Sequence, residues 1–128
     1  MITYWDASST DLALRVVKCG NISCSSGNEI NTVESGRFGE YNSLSIGADG
    51  FPIISYYDYA NGNLKVAHCG DVSCSSGNTI TTLDSAGDVG LYTSIVIGSD
   101  NLPIISYYDA TNYDLKTVKC AKASCSVD

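Results

Sequence analysis

Apolar and polar residues alternate along short segments of the chain, which is the pattern of half-buried β-strands. Residues 41–47, for example, place Leu44 and Ile46 on one face and serines on the other. Turn dipeptides such as Asp49-Gly50 separate these segments, as they do in β-hairpins. No stretch shows a convincing 3.6-residue apolar period. The pattern therefore predicts an all-β chain of about ten strands, with no helix longer than one turn.

The strand segments recur with a period of about 50 residues. Residues 52–58 and 103–109 both have the sequence Pro-Ile-Ile-Ser-Tyr-Tyr-Asp, and residues 2–6 are a variant of it. Self-similarity of this kind indicates repeated supersecondary units, and each unit here contains four predicted strands. The single repeat domain then consists of a partial unit without its first strand, a complete unit, and a partial unit without its fourth strand: residues 1–35, 41–85 and 92–128.

Four short antiparallel strands per unit are typical of β-propeller blades. The second strand is apolar on both faces, as a strand between two neighbouring blades must be, since Ile53 and Tyr57 alternate with Ile54 and Tyr56. In period and strand pattern the chain resembles the blades of secreted bacterial propeller-repeat proteins of the BNR-like and NHL-like kind, although it lacks the sialidase Asp-box motif. The resemblance implies about 2.5–3 blades per chain. A β-trefoil, also three repeats of four strands, and a β-sandwich are the alternative folds.

Six cysteines fall in three pairs, and four residues separate the members of each pair. Such a short loop can close as a local disulfide, whereas structural zinc sites favour four ligands and C-x2-C spacing. Local disulfides are therefore predicted ahead of free thiols or a metal site, and no cofactor is expected. Disulfides in turn predict an extracytoplasmic or secreted protein, although no signal-peptide pattern is present in the sequence. The predicted pairs are Cys19–Cys24, Cys69–Cys74 and Cys120–Cys125.

Each unit also carries two adjacent aromatic residues followed by an aspartate. Aromatic rings beside a carboxylate suit a carbohydrate, which offers a C–H face and hydroxyl donors, so these triplets are candidate lectin-like ligand contacts. The favoured alternative is packing between blades, with the aspartate closing the following turn. The triplets are Tyr4-Trp5-Asp6, Tyr56-Tyr57-Asp58 and Tyr107-Tyr108-Asp109.

A basic residue begins the third strand of each unit, and the hairpin register would place it opposite the aspartate of the triplet. We expect each basic residue to form a solvated ion pair with that aspartate. The expected pairs are Arg15–Asp6, Lys65–Asp58 and Lys116–Asp109.

Composition and charge exclude several classes of function. The chain is 44% hydrophobic and only 16% charged, which excludes disorder, and no apolar run approaches the roughly 20 residues of a membrane span. A net charge of −7 disfavours nucleic acid as a partner. His68 is the only histidine, and no G-x-S-x-G motif accompanies it. The sequence therefore predicts a protein that is not an enzyme.

These observations favour a non-catalytic extracytoplasmic binding or scaffold module, with carbohydrate as the candidate ligand. The alternatives are a self-assembling structural propeller unit and a fragment of a larger propeller enzyme. About two and a half blades cannot close a ring, because propellers typically contain four to eight. We therefore expect a homo-oligomer, with a dimer favoured.

Overall fold

The computed structural model describes residues 1–127, and these form an all-β protein. They contain no helix, so no helix long and apolar enough to cross a membrane is present in this part of the chain. The predicted all-β class and number of strands are confirmed. The ten strands are β1 (Ile2–Asp6), β2 (Ala13–Lys18), β3 (Glu29–Ser35), β4 (Phe38–Ile46), β5 (Pro52–Asp58), β6 (Asn63–His68), β7 (Thr79–Asp84), β8 (Val89–Ile97), β9 (Pro103–Asp109) and β10 (Asp114–Lys119).

Consecutive strands pair antiparallel into three sheets that follow one another along the chain. Sheet 1 has the order β1-β2-β3, sheet 2 the order β4-β5-β6-β7, and sheet 3 the order β10-β9-β8. The three sheets therefore correspond to the three sequence units. The described strands form no closed barrel or ring, and three separate sheets differ from the two layers of a sandwich.

The first strands of sheets 2 and 3 begin three residues earlier than the alternating pattern predicts. The pairing of β4 with β5 shifts register before and after Glu40, and the pairing of β8 with β9 shifts before and after Leu91. Such bulges interrupt the two-residue period from which strand starts are read. Each bulge contains a glycine with positive φ, Gly39 at 106° and Gly90 at 102°.

These two glycines also let the start of each strand approach the preceding sheet closely. A Cβ atom on Gly90 would lie 2.7 Å from Cα of Leu64 in sheet 2, and one on Gly39 would lie 2.8 Å from Cβ of Leu14 in sheet 1. Both distances are shorter than a carbon–carbon contact allows. The glycines are therefore required by the packing of one sheet on the next as well as by the backbone.

Two apolar clusters hold the three sheets together, one in each space between neighbouring sheets. The strand shared by both spaces is β5, which faces sheet 1 with Ile54 and Tyr56 and sheet 3 with Ile53. Leu14 and Val16 of β2 pack against the first pair, so sheet 1 covers one face of sheet 2. Ile105 and Tyr107 of β9 join Ile53 in the second cluster, along with Leu64, Val66, Val89, Ile95, Cys120 and Cys125.

All three predicted disulfides are present, and the cysteine-loop prediction is confirmed. Their Cα–Cα distances of 4.7 to 4.9 Å lie within the range that a disulfide spans. Inside the second loop, the Asp71 carboxylate accepts hydrogen bonds from the backbone and hydroxyl groups of Ser73, Ser75 and Ser76. Hydrogen bonds from these serines, Ser75 foremost, hold the pKa of Asp71 well below its usual range. The second loop is thus a compact, locally satisfied structure.

Replacing Gly90 with alanine tests the close approach of β8 to sheet 2. We expect Gly90→Ala to lower the free energy of unfolding by about 3 kcal/mol, because backbone strain and overpacking against Leu64 add together. Gly50→Ala is the matched control, since Gly50 has a φ of 84° but nothing within 4 Å of the added carbon. It should cost only about 1 kcal/mol in urea denaturation. Equal costs would contradict the packing argument.

Candidate functional site

The first aromatic residue of the second and third triplets is used for packing between sheets. Tyr56 is fully buried, and its hydroxyl donates to Oε2 of Glu34 in sheet 1 at 2.5 Å. Tyr107 occupies the equivalent position in sheet 3, and its hydroxyl donates to Oδ2 of Asp84 in sheet 2 at 2.7 Å. Burial first, and then the carboxylate partner, raise the pKa of both tyrosines. Both hydroxyls therefore stay protonated and occupied within the fold.

The same two carboxylates bind the basic residues of the third strands, which corrects one expected ion pair. Lys65 donates from Nζ to Oε1 of Glu34 at 2.5 Å, and not to Asp58. Lys116 likewise donates to Oδ2 of Asp84 at 2.5 Å, while Asp109 lies 4.0 Å away. The expectation considered only the hairpin, whereas the lysines face the preceding sheet. Arg15, which has no preceding sheet in the structure, does pair with Asp6 at 2.9 Å as expected.

The aspartates of the triplets close the turn after the second strand. Asp58 accepts hydrogen bonds from the backbone and side-chain nitrogens of Asn61, at 3.1 and 2.9 Å. Asp109 does the same with Asn112, and hydrogen bonding by Asn112 is the main cause that lowers the pKa of Asp109. Asp58 and Asp109 are both almost fully buried. In both turns the carboxylate is engaged by its own hairpin.

The second aromatic residues of the second and third triplets belong to a group of tyrosines that spans sheets 2 and 3, in which Tyr57 is buried and Tyr41, Tyr59 and Tyr92 are exposed. The central contact joins Tyr41 of β4 and Tyr92 of β8, whose ring centroids are 4.4 Å apart. Tyr57 lies 6.1 Å from Tyr41, and Tyr108 lies 6.5 Å from Tyr92. Tyr59 contacts Tyr57 edge-on at 6.3 Å. We call these five residues the tyrosine cluster.

Tyr41 and Tyr92 combine exposure with an unusual backbone conformation. Their exposed fractions are 39% and 66%, and both have a φ of 52°. The left-handed region is costly for a bulky side chain, and such outliers concentrate at ligand-binding and catalytic sites. The same conformation occurs at the same position of both β-bulges, so the fold builds it twice. This repetition singles out the pair as the centre of the candidate site.

The chemistry of the cluster is that of neutral aromatic rings with phenolic hydroxyls. The Tyr57 hydroxyl donates to Oδ1 of Asp88 at 2.6 Å, and burial followed by this hydrogen bond raises the pKa of Tyr57. Interaction with the Tyr92 hydroxyl, followed by partial burial, raises the pKa of Tyr41. The guanidinium of Arg37 lies 4.0 Å above the Tyr59 ring. The cluster therefore combines aromatic ring faces with phenolic hydroxyls, and the hydroxyls of Tyr41 and Tyr57 stay protonated at neutral pH.

Sequence reasoning identified Tyr57 and Tyr108 but missed the central pair. The available signal was the identity of position 41 with position 92, where the two gap-free copies of the repeat begin. Tyr4, Trp5 and Asp6 belong to sheet 1, where Asp6 accepts the Ser8 backbone nitrogen and the Arg15 guanidinium. The Trp5 indole Nε1 is buried without a hydrogen-bond partner among the described residues.

Other groups with possible chemistry are isolated from this site. The only histidine, His68, contacts Oδ2 of Asp49 at 2.7 Å across a hairpin. Residues 1–127 contain no group of three or more histidine, cysteine, aspartate or glutamate side chains arranged to hold a metal ion. A cavity of about 300 Å³ lies elsewhere, between Leu83, Val118 and the third disulfide loop.

Comparison with known proteins gave no relative for this chain. No protein-family model, no curated protein and no solved structure matches it.

Removing the carboxylates between sheets should weaken the fold unequally. We expect Glu34→Ala to lower the free energy of unfolding by about 2–3 kcal/mol, because it leaves buried Lys65 and Tyr56 without partners. Asp84→Ala should cost only about 1 kcal/mol, since the Lys116 side chain is 34% exposed and water can replace the carboxylate. Denaturant titration measures both. A larger loss for Asp84→Ala would contradict this ranking.

Acid should destabilise the contact between sheets 2 and 3. Partial burial favours the neutral form of Asp84, but hydrogen bonds from Lys116 and Tyr107 outweigh it and lower the pKa below the ordinary 3.8. A carboxyl with a lowered pKa stabilises the fold above its unfolded value and loses that effect as pH falls through the folded value. The free energy of unfolding should therefore be steady above about pH 5 and fall below about pH 4. Asp84→Asn should show a shallower decline; an unchanged pH profile would contradict the assignment.

Proposed function

We propose that this chain is a non-catalytic, lectin-like binding module that takes a carbohydrate at the tyrosine cluster. The observation that carries the proposal is the pair Tyr41 and Tyr92, two exposed rings 4.4 Å apart in the same left-handed conformation. Pyranose rings present patches of C–H groups that pack on aromatic faces, and their hydroxyls pair with neutral donors and acceptors. The protonated phenols of the cluster offer both kinds of contact.

A binding role is favoured over turnover by the state of the charged groups around the cluster. The Asp88 carboxylate already accepts the Tyr57 hydroxyl, and Arg37 covers the Tyr59 ring. Glycoside hydrolysis needs two carboxyl groups that flank one bond, one of them with a raised pKa. The Asp88 carboxylate, which contacts the cluster, is already engaged by the Tyr57 hydroxyl. The cluster is therefore equipped to hold a neutral ligand.

The proposed scaffold is a set of propeller-like blades. Each sheet packs its face on the next sheet, and the carboxylate–tyrosine–lysine contact joins sheets 1 and 2 in the same way as sheets 2 and 3. Where β4 and β8 meet, the Ser43 hydroxyl accepts the Ile95 backbone nitrogen and the Thr93 hydroxyl donates to the Tyr41 carbonyl. Small polar side chains thus let the first strands of neighbouring units approach each other, as blades do near a propeller axis.

The proposed setting is extracytoplasmic. Three disulfides in 128 residues are consistent with an extracellular protein, because thiols are kept reduced in the cytosol of most organisms. A stable disulfide scaffold presenting neutral aromatic rings suits recognition of polysaccharides outside the cell.

A glycan array followed by NMR titration with a monovalent oligosaccharide tests the binding proposal. We expect Tyr92→Ala and Tyr41→Ala each to weaken binding at least tenfold, because each removes one aromatic contact of roughly 1.5 kcal/mol. Tyr113→Ala is the matched control: Tyr113 is 81% exposed with a φ of 60°, but it lies outside the cluster. The control variant should bind like the unaltered chain.

Two outcomes would overturn the proposal. One is the absence of any bound glycan on an array probed with correctly oxidised protein. The other is binding that survives both cluster variants but is lost in the Tyr113 variant, which would place the ligand elsewhere.

A further inference from the structure

The two outward faces of the molecule carry apolar residues whose internal equivalents are buried. On sheet 3, Leu115 is 79% exposed, whereas Leu64 at the same position of sheet 2 is 0% exposed beneath sheet 3. On sheet 1, Ile2 is 49% exposed, whereas Ile54 at the same position is 0% exposed beneath sheet 1. The outer face of sheet 3 includes Val96, Ile104, Tyr108, Leu115, Thr117 and Lys119, and the outer face of sheet 1 includes Ile2, Tyr4, Arg15 and Val17.

These faces are the two halves of a contact that the chain already makes twice. In the first space between sheets, Leu14 and Val16 of the earlier sheet pack on Ile54 and Tyr56 of the later one. In the second space, Leu64 and Val66 pack on Ile105 and Tyr107. Leu115 on sheet 3 is equivalent to Leu14 and Leu64, which belong to the earlier sheet of each contact. Ile2 and Tyr4 on sheet 1 are equivalent to Ile54 and Tyr56, which belong to the later sheet. The two outer faces are therefore complementary to each other and not to themselves.

We propose that the outer face of sheet 3 docks on the outer face of sheet 1 of a second copy of this chain. The contact is head-to-tail, and two such contacts close two copies into a ring of six sheets. Six lies within the four to eight blades of propellers. Leu115 of one copy packs on Ile2 and Tyr4 of the other.

In sheets 2 and 3 the basic residue of the third strand pairs with a carboxylate of the preceding sheet, whereas in sheet 1 it pairs with carboxylates close to it in the chain. Lys65 and Lys116 are neutralised by Glu34 and Asp84, which lie on the fourth strand of the preceding unit. The equivalent Arg15 is paired with Asp6 and with Asp11. Asp11 lies in a turn two residues longer than its counterparts in the other units. Arg15 is therefore neutralised without a carboxylate from another sheet.

Sheet 3 differs from sheet 2 at one position of the turn between its second and third strands. A Cβ atom on Gly62, in the turn before β6, would lie 3.2 Å from Oδ1 of Asp88, just before β8, so a larger side chain there would require Asp88 to shift. The equivalent position of sheet 3 carries Tyr113, which is 81% exposed. Tyr113 is therefore a difference between the outer face of sheet 3 and the corresponding internal face of sheet 2.

Light scattering and sedimentation equilibrium of the unaltered chain, at tens of micromolar, should give twice the mass of one chain. Leu115→Glu and Ile2→Glu should each raise the dissociation constant of the two-chain species at least about 30-fold, the effect of losing a central apolar contact. Ile22→Glu is the matched control, because Ile22 is fully exposed in the first disulfide loop, away from both faces. It should leave the mass unchanged.

Thermal unfolding and intact disulfides establish that each variant is folded. Should Leu115→Glu or Ile2→Glu fail to fold, Thr117→Glu on the same face of sheet 3 and Ile2→Ser replace them. A single-chain mass for the unaltered protein would overturn the proposal. So would loss of the two-chain species in Leu115→Glu but not in the Ile2 variants, because that result indicates a symmetric contact between two copies of sheet 3. Equal disruption by Ile22→Glu would show that association is non-specific.

Discussion

The structure depends on one contact that is made anew between each pair of consecutive sheets. A carboxylate on the last strand of one sheet accepts hydrogen bonds from a tyrosine and a lysine of the next, as Glu34 does with Tyr56 and Lys65. The surrounding aliphatic side chains remove both faces of sheet 2 from water. A three-stranded or four-stranded sheet with two apolar faces gains most of its stability from its neighbours, so the fold is a stack in which each unit supports the next.

This stacking also determines which residues remain for function. The repeated motif resembles a ligand site in sequence. In the structure, however, the hydroxyls of Tyr56 and Tyr107 donate to carboxylates of the preceding sheet. The carboxylates of Asp58 and Asp109 accept hydrogen bonds within their own turns. Two exposed tyrosines, Tyr41 and Tyr92, lie at the bulges near the start of β4 and β8. Tyr41 and Tyr92 combine a left-handed backbone conformation with exposed rings, which is why we propose them as ligand contacts.

Local patterns were sufficient to predict the all-β class, the number of strands and the disulfides. Alternation, turn dipeptides and the spacing of Cys19 and Cys24 depend on residues close together in the chain. The partner of Lys65 could not be predicted in this way, because Glu34 is 31 residues away and meets the lysine only when the sheets stack. The pairing of Tyr41 with Tyr92 has the same origin. The early start of β4 at Phe38 was missed because a bulge breaks the two-residue period.

The central claim is that consecutive sheets are coupled energetically through this carboxylate. A double-mutant cycle between Glu34→Gln and Lys65→Met measures that coupling directly, with the free energy of unfolding determined at neutral pH for all four proteins. The account predicts a favourable coupling energy of about 1 kcal/mol or more, since the partners lie in different sheets and are both largely buried. Additive effects of the two substitutions, with a coupling energy near zero, would contradict it.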